Sequence, residues 1–252
     1  MKEETAVENL REIKRILDGV GVNFWLDSGT LLGAIRDGKI IEWDSDVDLS
    51  TWYNYAERII SAFAKFKQKG FTVVLNRKKS IVTATRLGCQ VEVDLYHEKG
   101  RYAWSVSPVH PRGRKRGSTL YQQKIKKFDR MFNWAMDMLI PKICARPEGA
   151  SIRKSERFLP ILPLKLRQFL TDMIWSILDR RSLIAPLVIS KHHVQKLSTI
   201  RFYGMNVNVP FDVEKYLEYR YGSNWKISTK EWKYEDDGAI RSVRLCDFLA
   251  DI

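Results

Sequence analysis

Apolar residues recur every three or four positions near the start of the chain, which predicts an amphipathic helix over the first twenty residues. Its apolar positions are Val7, Leu10, Ile13 and Leu17. Two glycines, Gly19 and Gly21, follow the last of these positions and predict the end of the helix. A short apolar run at residues 22–26 then predicts a strand.

Helical and strand-like patterns alternate through the next seventy residues. A glycine-bracketed turn at residues 29–33 opens a short helix to about residue 36, and an acidic strand follows it. A second amphipathic helix covers about residues 56–66. Three further runs predict strands at residues 71–75, 81–85 and 91–95. Because the turns between these runs are short, we expect antiparallel or mixed pairing. Residues 1–106 are therefore predicted to form a core of the α/β (α+β) class, with a mixed sheet flanked by helices.

The pattern changes in the second half of the chain. Helical periodicity dominates, so residues 107–200 are predicted to form a mostly helical, basic elaboration of the core. Within it, the segment 158–189 mixes apolar and basic residues, which suits either an interfacial helix or ordinary bundle packing. No segment has the length and apolar character of a transmembrane helix.

The C-terminal part, residues 201–252, is predicted to be a strand–helix unit packed on the core. A strand-like run at residues 202–209 precedes a helix with Asp212 as its N-cap and Gly222 just past its end.

The net charge of +13, from 43 basic and 30 acidic residues, indicates an anionic partner. The basic stretch at residues 112–127 is compatible with a solvated face, with contact to an anionic donor or membrane, or with nucleic-acid binding. Nucleic acid is the weakest of these, because no known nucleic-acid-binding motif accompanies the charge. Three cysteines without metal or disulfide spacing indicate a reducing cytosol, and the charged start at Met1–Glu4 does not resemble a signal peptide. The protein is therefore expected in the cytoplasm, where it is either soluble or in peripheral contact with the inner face of a membrane.

Two aspartates one residue apart, Asp46 and Asp48, are the most informative chemical feature. If they lie on a strand, both carboxylates project from the same face and repel each other, so a divalent cation is expected between them. Mg²⁺, or Mn²⁺, suits such oxygen ligands and usually shares its site with a substrate phosphate. Asp94, on a later apolar strand, is the expected third ligand, and Glu92 on the same face is the second choice. An EF-hand is excluded, because its sixth and twelfth positions hold Leu49 and Tyr55.

Two segments, Gly29–Arg36 and Ile41–Asp48, resemble the core motif of LicD-type phosphotransferases, which are relatives of fukutin in the nucleotidyltransferase superfamily. Val93–Tyr96 is similar to a later strand of that family. Phe202–Gly204 and Tyr221–Trp225 are similar to a weaker third feature. The resemblance implies a nucleotidyltransferase-like fold and metal-dependent transfer of phosphocholine or a polyol phosphate from a CDP-linked donor. The implied acceptor is a hydroxyl of a glycan or lipid-linked glycan, in modification of lipopolysaccharide, teichoic acid or capsule.

The resemblance also implies roles for single residues. Asp46, Asp48 and Asp94 are expected to hold the metal and to be catalytic. The residues expected to contact substrate are Gly29, Thr30, Gly33, Arg36 and Asp44. Arg36 is also open to interpretation as part of a surface salt bridge. By the same resemblance, residues 1–106 would be the catalytic core, and residues 107–200 would lie on its acceptor side.

Four aromatic residues are candidates for a choline cage: Trp43, Trp52, Tyr96 and Trp104. Trp43, directly before the acidic motif, is also open to interpretation as a packing residue or as a stacking surface for ligand.

Two other functions remain compatible with the sequence. One is a nucleotidyltransferase that moves NMP from an NTP to a small molecule or protein. The other is a non-enzymatic module that binds nucleic acid or anionic lipid.

Overall fold

The computed structural model describes residues 2–76, 80–108, 184–232 and 236–240, and it confirms the α/β class. The helices are α1 (Glu3–Asp18), α2 (Ser28–Arg36), α3 (Ala56–Ser61), α4 (Phe63–Gln68), α5 (Lys191–Val194) and α6 (Val213–Tyr221). The strands are β1 (Phe24–Leu26), β2 (Asp46–Trp52), β3 (Thr72–Asn76), β4 (Ile81–Arg86), β5 (Cys89–Lys99), β6 (Tyr102–Pro108), β7 (Ile184–Ser190), β8 (Leu197–Phe202) and β9 (Met205–Pro210). A 3-10 turn covers Tyr53–Tyr55.

Seven of these strands form one mixed sheet, in which β1, β2, β5, β4 and β3 are neighbours in that order. Strand β6 pairs with the end of β5 and with β7, while β8 and β9 form a separate hairpin. β2 and β5 run parallel, and their register places Asp48 beside Glu92 and Ser50 beside Asp94. Because strand side chains alternate, the acidic residues of both strands project from one face of the sheet.

The other face of the sheet carries the core. Apolar side chains of β2 and β5, such as Val47 and Val93, alternate with the acidic ones and are buried. Helix α1 packs on β5 and β2, with Leu10, Ile13 and Leu17 fully buried. At the usual gain for buried apolar surface, each such side chain contributes about 1.5–3 kcal/mol relative to its exposed state. The core therefore packs against the apolar face of β2 and β5, and the acidic face of these two strands lines a cleft.

The structure corrects three predicted elements. The segment at residues 29–33 is not a turn before a helix but lies within α2, and the helix predicted over residues 56–66 is two short helices. The strand predicted at residues 202–209 is the β8–β9 hairpin, because Tyr203 and Gly204 both have positive φ and form a two-residue turn.

Residues 184–190, predicted as helical, form strand β7, which pairs with β6. A short apolar run is compatible with either structure, and only a neighbouring strand decides between them. The remainder of the expected helical elaboration, with the basic stretch at 112–127, lies outside the described residues, and the division into three units stays a prediction. Within the described residues, no helix has both the length and the apolar character needed to cross a membrane.

Candidate active site

The first turn of α2 holds one of the two motif aspartates in place. Asp27 is the N-cap of this helix, and its carboxylate accepts a 2.8 Å hydrogen bond from the Ser28 N–H. The next N–H, that of Gly29, donates to Asp48 Oδ2 at 3.1 Å. The backbone N–H of Asp48 in turn donates to Thr30 Oγ1 at 2.8 Å. Both the side chain and the main chain of Asp48 are thus fixed by a helix N-terminus, where free N–H groups favour negative charge.

Two predicted substrate contacts, Gly29 and Gly33, are glycines for steric reasons. A Cβ at Gly29 would lie 2.3 Å from Asp44 Oδ2, so the missing side chain lets the acidic segment approach the helix. A Cβ at Gly33 would lie 2.5 Å from the backbone oxygen of Lys39. Gly33 therefore lets the loop after α2 pack closely. Of these two glycines, only Gly29 lines the cavity described below.

Three carboxylates converge at the start of β2: one ligand oxygen each from Asp44, Asp46 and Asp48 lies within 4.8 Å of the other two. Burial and then the charge of Asp46 raise the pKa of Asp44 to about 6. Burial, with Asp46 and Asp44 next, raises the pKa of Asp48 well above its ordinary value. Like charges held this close in a partly buried site favour either a proton or a bound cation. This set of hard oxygen donors fits a divalent metal ion.

The structure places Asp94 on the same acidic face but outside that group of three. Both Glu92 and Asp94 line the same cavity as the motif aspartates. Burial, followed by the charges of Asp27 and Glu92, raises the pKa of Asp94 to about 8. The sequence assigned the third ligand to Asp94 and a substrate contact to Asp44, whereas geometry groups Asp44 with Asp46 and Asp48. Direct metal binding by Asp94 stays a prediction.

The remaining predicted substrate contacts, Thr30 and Arg36, have protein partners in the structure. The Thr30 hydroxyl is buried and, as described above, bonds to the Asp48 main chain. Arg36 lines the cavity and donates from Nε and Nη2 to the carboxylate of Asp37, at 2.8 and 2.7 Å. This local ion pair is the alternative interpretation that the sequence left open. Phosphate binding by either residue stays a prediction.

A cavity of about 840 Å³ adjoins the carboxylates, which is ample for a nucleotide-sized ligand. Its acidic lining residues are Asp44, Asp46, Asp48, Glu92, Asp94 and Asp237. A second part of the lining comes from the end of α6 and the C-terminal segment after it, and it contributes three aromatic residues beside apolar and polar ones: Tyr221, Asn224, Trp225, Ile227, Thr229, Lys230 and Trp232. Trp43 also lines the cavity and is 45% exposed. The site thus combines a charged region and an aromatic region.

The four aromatic residues suggested for a choline cage are not brought together. Trp52 and Tyr96 pack against the buried Trp25, with ring centroids 5.8 and 6.0 Å apart. Trp104 stacks on His97 at 4.6 Å. Of the four, only Trp43 lines the cavity.

A buried polar network that the sequence analysis missed lies beneath the site. The Arg220 guanidinium is 2% exposed, and each of its three nitrogens has partners. Nε donates to both oxygens of Asp237 at 2.8 and 2.7 Å, and Nη1 donates to Asp27 Oδ1 at 3.0 Å and to the Tyr216 hydroxyl at 2.9 Å. Nη2 donates to Ser28 Oγ at 3.2 Å and lies 2.6 Å from Asp237 Oδ2. The five N–H groups of the side chain are therefore satisfied.

Through this network the C-terminal helix reaches the residues that position the motif aspartates. Asp27 also accepts hydrogen bonds from the hydroxyls of Tyr216, at 2.8 Å, and Ser50, at 2.7 Å. The only local signal in the sequence is the position of Asp27 before a helix start, which is typical of an N-cap. Its partner Arg220 lies 193 residues away, and no pattern in the sequence indicates that contact.

Comparisons with known proteins agree with the family suggested by the motifs. Residues 21–146 match the family described as LicD/FKTN/FKRP, nucleotidyltransferase domain. Over 45 residues the chain is 49% identical to ribitol 5-phosphate transferase FKRP of Homo sapiens, a match that covers 18% of this chain and 9% of that protein. It is 23% identical over 239 residues to ribitol-5-phosphate transferase FKTN of Homo sapiens, covering 92% of this chain and 35% of that protein. The chain thus spans about a third or less of the length of these relatives.

Among solved structures, the antibiotic-resistance factor ANT(2'')-Ia matches with a TM-score of 0.33 and 12% identity. The match covers 71% of this chain and 98% of that one.

Proposed function

Because the chain belongs to the LicD/FKTN/FKRP nucleotidyltransferase-domain family, we propose that it transfers a phospho-alcohol group from a CDP-linked donor to a hydroxyl of a glycan. The observation that carries this proposal is the cluster of Asp44, Asp46 and Asp48 beside Glu92 and Asp94 in one nucleotide-sized cavity. Phosphoryl transfer asks a protein mainly for positioning and for charge stabilisation, and this cavity offers both.

The aspartate group is the proposed metal site. Asp44, Asp46 and Asp48 would hold Mg²⁺, or Mn²⁺, and the ion would supply positive charge for the diphosphate of the donor and for the departing CMP. The Gly29 N–H donates to the Asp48 carboxylate, and the Asp48 N–H donates to Thr30 Oγ1. These two hydrogen bonds keep Asp48 pointed into the site before any ligand binds. This preorganisation matters because reorientation of a ligand carboxylate during the reaction would raise the barrier.

Asp94 is the proposed general base. The acceptor oxygen attacks the phosphorus that bears the alcohol, the bond from that phosphorus to the CMP oxygen breaks, and the hydroxyl proton moves to Asp94. Its pKa of about 8, raised by burial and by the charges of Asp27 and Glu92, lies close to neutral pH, where a base is most effective. Glu92 lies beside Asp48 in the neighbouring strand and adds a further carboxylate to the acidic face.

The test is release of CMP. Purified protein is incubated with Mg²⁺ and, in turn, CDP-choline, CDP-glycerol and CDP-ribitol, with candidate glycans as acceptors. We expect CMP release from at least one donor, and loss of about 1,000-fold or more in kcat for Asp46→Asn and Asp48→Asn, typical of the removal of a catalytic group. Pyrophosphate release from an NTP would instead support nucleotidyl transfer. Ligand binding that is unchanged by Asp46→Ala, with no turnover, would refute the enzymatic proposal.

A further inference from the structure

Trp43 is a partly exposed aromatic residue beside the proposed active site. Its side chain is 45% exposed, yet it lines the cavity one residue before Asp44. Adjacent Cα atoms are about 3.8 Å apart, so the indole is tethered directly beside the proposed metal site. An aromatic surface left open inside a cleft is available for contact with a ligand.

Lys230, from the C-terminal segment, also lines the cavity and lies close to Trp43. Its Nζ lies 4.8 Å from the centroid of the indole ring. Two other cationic residues line the cavity, but Arg36 is held by Asp37 and Arg220 by Asp27 and Asp237. Among the residues that the structure describes, no carboxylate forms a close ion pair with Lys230, and its ammonium instead lies over the aromatic surface of Trp43.

We propose that Trp43 and Lys230 form the subsite for the nucleoside part of the donor, an inference that rests on the proposed function. The indole supplies a stacking face for a nucleobase, and the ammonium supplies a hydrogen-bond donor for a base carbonyl or a phosphate oxygen. The phosphates then extend from this subsite toward Asp44, the next residue along the chain. The transferred alcohol lies deeper in the cavity, near Glu92 and Asp94.

The same contact disfavours a quaternary ammonium group at Trp43. A choline headgroup is itself a cation, and Lys230 already places a positive charge 4.8 Å from the centroid of this ring, so the two cations would repel each other there. The other residues suggested for a cage are packed elsewhere, as described above. A neutral, planar base is the ligand that gains most from this surface.

The chain contains a matched control for this pair. Phe211 is 47% exposed, and Lys196 Nζ lies 4.7 Å from the centroid of its ring. Neither residue lines the cavity. Phe211→Leu therefore removes a cation–π pair of similar exposure and geometry without touching the proposed subsite.

The test is isothermal titration of the full chain, with Mg²⁺, against CMP and against ribose 5-phosphate, which lacks the base. Trp43→Leu should weaken CMP binding roughly 5- to 150-fold, the range that loss of one base–aromatic stack gives. Binding of ribose 5-phosphate should be unchanged, and Trp43→Phe should recover most of the CMP affinity. Lys230→Gln should weaken binding of CMP, while Phe211→Leu should leave both ligands unaffected.

The outcomes separate this inference from the proposed function. If wild-type protein binds CMP and Trp43→Leu binds it equally well, the subsite is refuted while the transferase proposal stands. Equal losses for CMP and ribose 5-phosphate in Trp43→Leu would also refute it, because the base would not be what Trp43 contacts. If wild-type protein neither binds CMP nor releases it from any CDP-alcohol, the proposed function fails and this inference fails with it.

Discussion

Replacement of Arg220 by methionine should strongly destabilise the protein, because it removes the cation of the buried network. Methionine keeps a long apolar side chain, so the volume lost is modest. The two carboxylates that the guanidinium contacts, Asp27 and Asp237, are both 1% exposed and would be left in the interior without their counter-charge. A buried charge without a partner is far more costly than a missing surface ion pair.

The expected cost follows from this geometry. Breaking a buried ion pair by removing one partner typically costs about 3–5 kcal/mol. For a chain of this size each kcal/mol lowers Tm by about 2–4 °C, so Arg220→Met should lower Tm by roughly 6–20 °C. That loss is a large part of the total stability of an ordinary domain, about 5–15 kcal/mol.

The assay is thermal and urea-induced unfolding, followed by circular dichroism, of wild type, Arg220→Met and Arg220→Met/Asp237→Asn. Neutralising Asp237 removes one of the stranded charges, so the double variant should be more stable than Arg220→Met alone. Arg201→Met serves as the control, because Arg201 lies exposed on β8, and its replacement should change stability by less than about 0.5 kcal/mol.

Two results would refute this reasoning. One is a Tm for Arg220→Met within a degree or two of that of Arg201→Met. The other is a double variant that is less stable than Arg220→Met, since the two carboxylates would then not be the source of the cost. The first result would also mean that the network contributes little to holding α6 against the segment between β1 and α2.

Three further predictions concern single positions. Gly29→Ala should reduce kcat by about tenfold or more with a smaller effect on folding. The added Cβ would lie 2.3 Å from Asp44 Oδ2 and push that carboxylate out of place. Unchanged Mg²⁺-dependent turnover would contradict this prediction. Gly238→Ala should destabilise the protein by at least about 2 kcal/mol in urea unfolding, since its Cβ would lie 1.9 Å from the backbone oxygen of Tyr219, which cannot swing aside as a side chain can. For Asp94, the folded-state pKa of about 8 exceeds the ordinary value of 3.8, so the folded protein holds this proton more tightly between those pH values. Its contribution to the stability of metal-free protein is therefore present at about pH 4 and is lost as the pH rises to about 8. In a series of Tm measurements against pH, Asp94→Asn should show a smaller decline than wild type. Identical slopes for both proteins would show that another group causes the decline.

Local patterns in the sequence were enough to predict much of the acidic face. Asp46 and Asp48 are two residues apart on a strand, and this alternation alone places both carboxylates on one side of β2. The same rule placed Glu92 and Asp94 together on β5. The α/β class and the end of α6 at Gly222 also follow from short-range periodicity and glycine conformation.

Other features depend on contacts between distant parts of the chain. Residues 184–190 became a strand because β6 offered an edge to pair with, and the apolar run itself is compatible with a helix. The choice of Asp44 over Asp94 as the third member of the close carboxylate group depends on the approach of the 37–45 segment to Gly29. The absence of a side chain at Gly29 permits this approach, and the spacing of the acidic residues in the sequence does not indicate it.

The sequence by itself therefore determined the strand positions of the acidic residues proposed to carry the chemistry, and the face of the strand that they share, because those properties repeat with the period of the local backbone. Only the tertiary structure decided how the site is supported. Asp27 and Arg220 meet across 193 residues of sequence, and the exposed Trp43 meets Lys230 from the C-terminal segment. Such contacts arise when the whole core packs, since no local regularity of the chain sets the distance between their side chains.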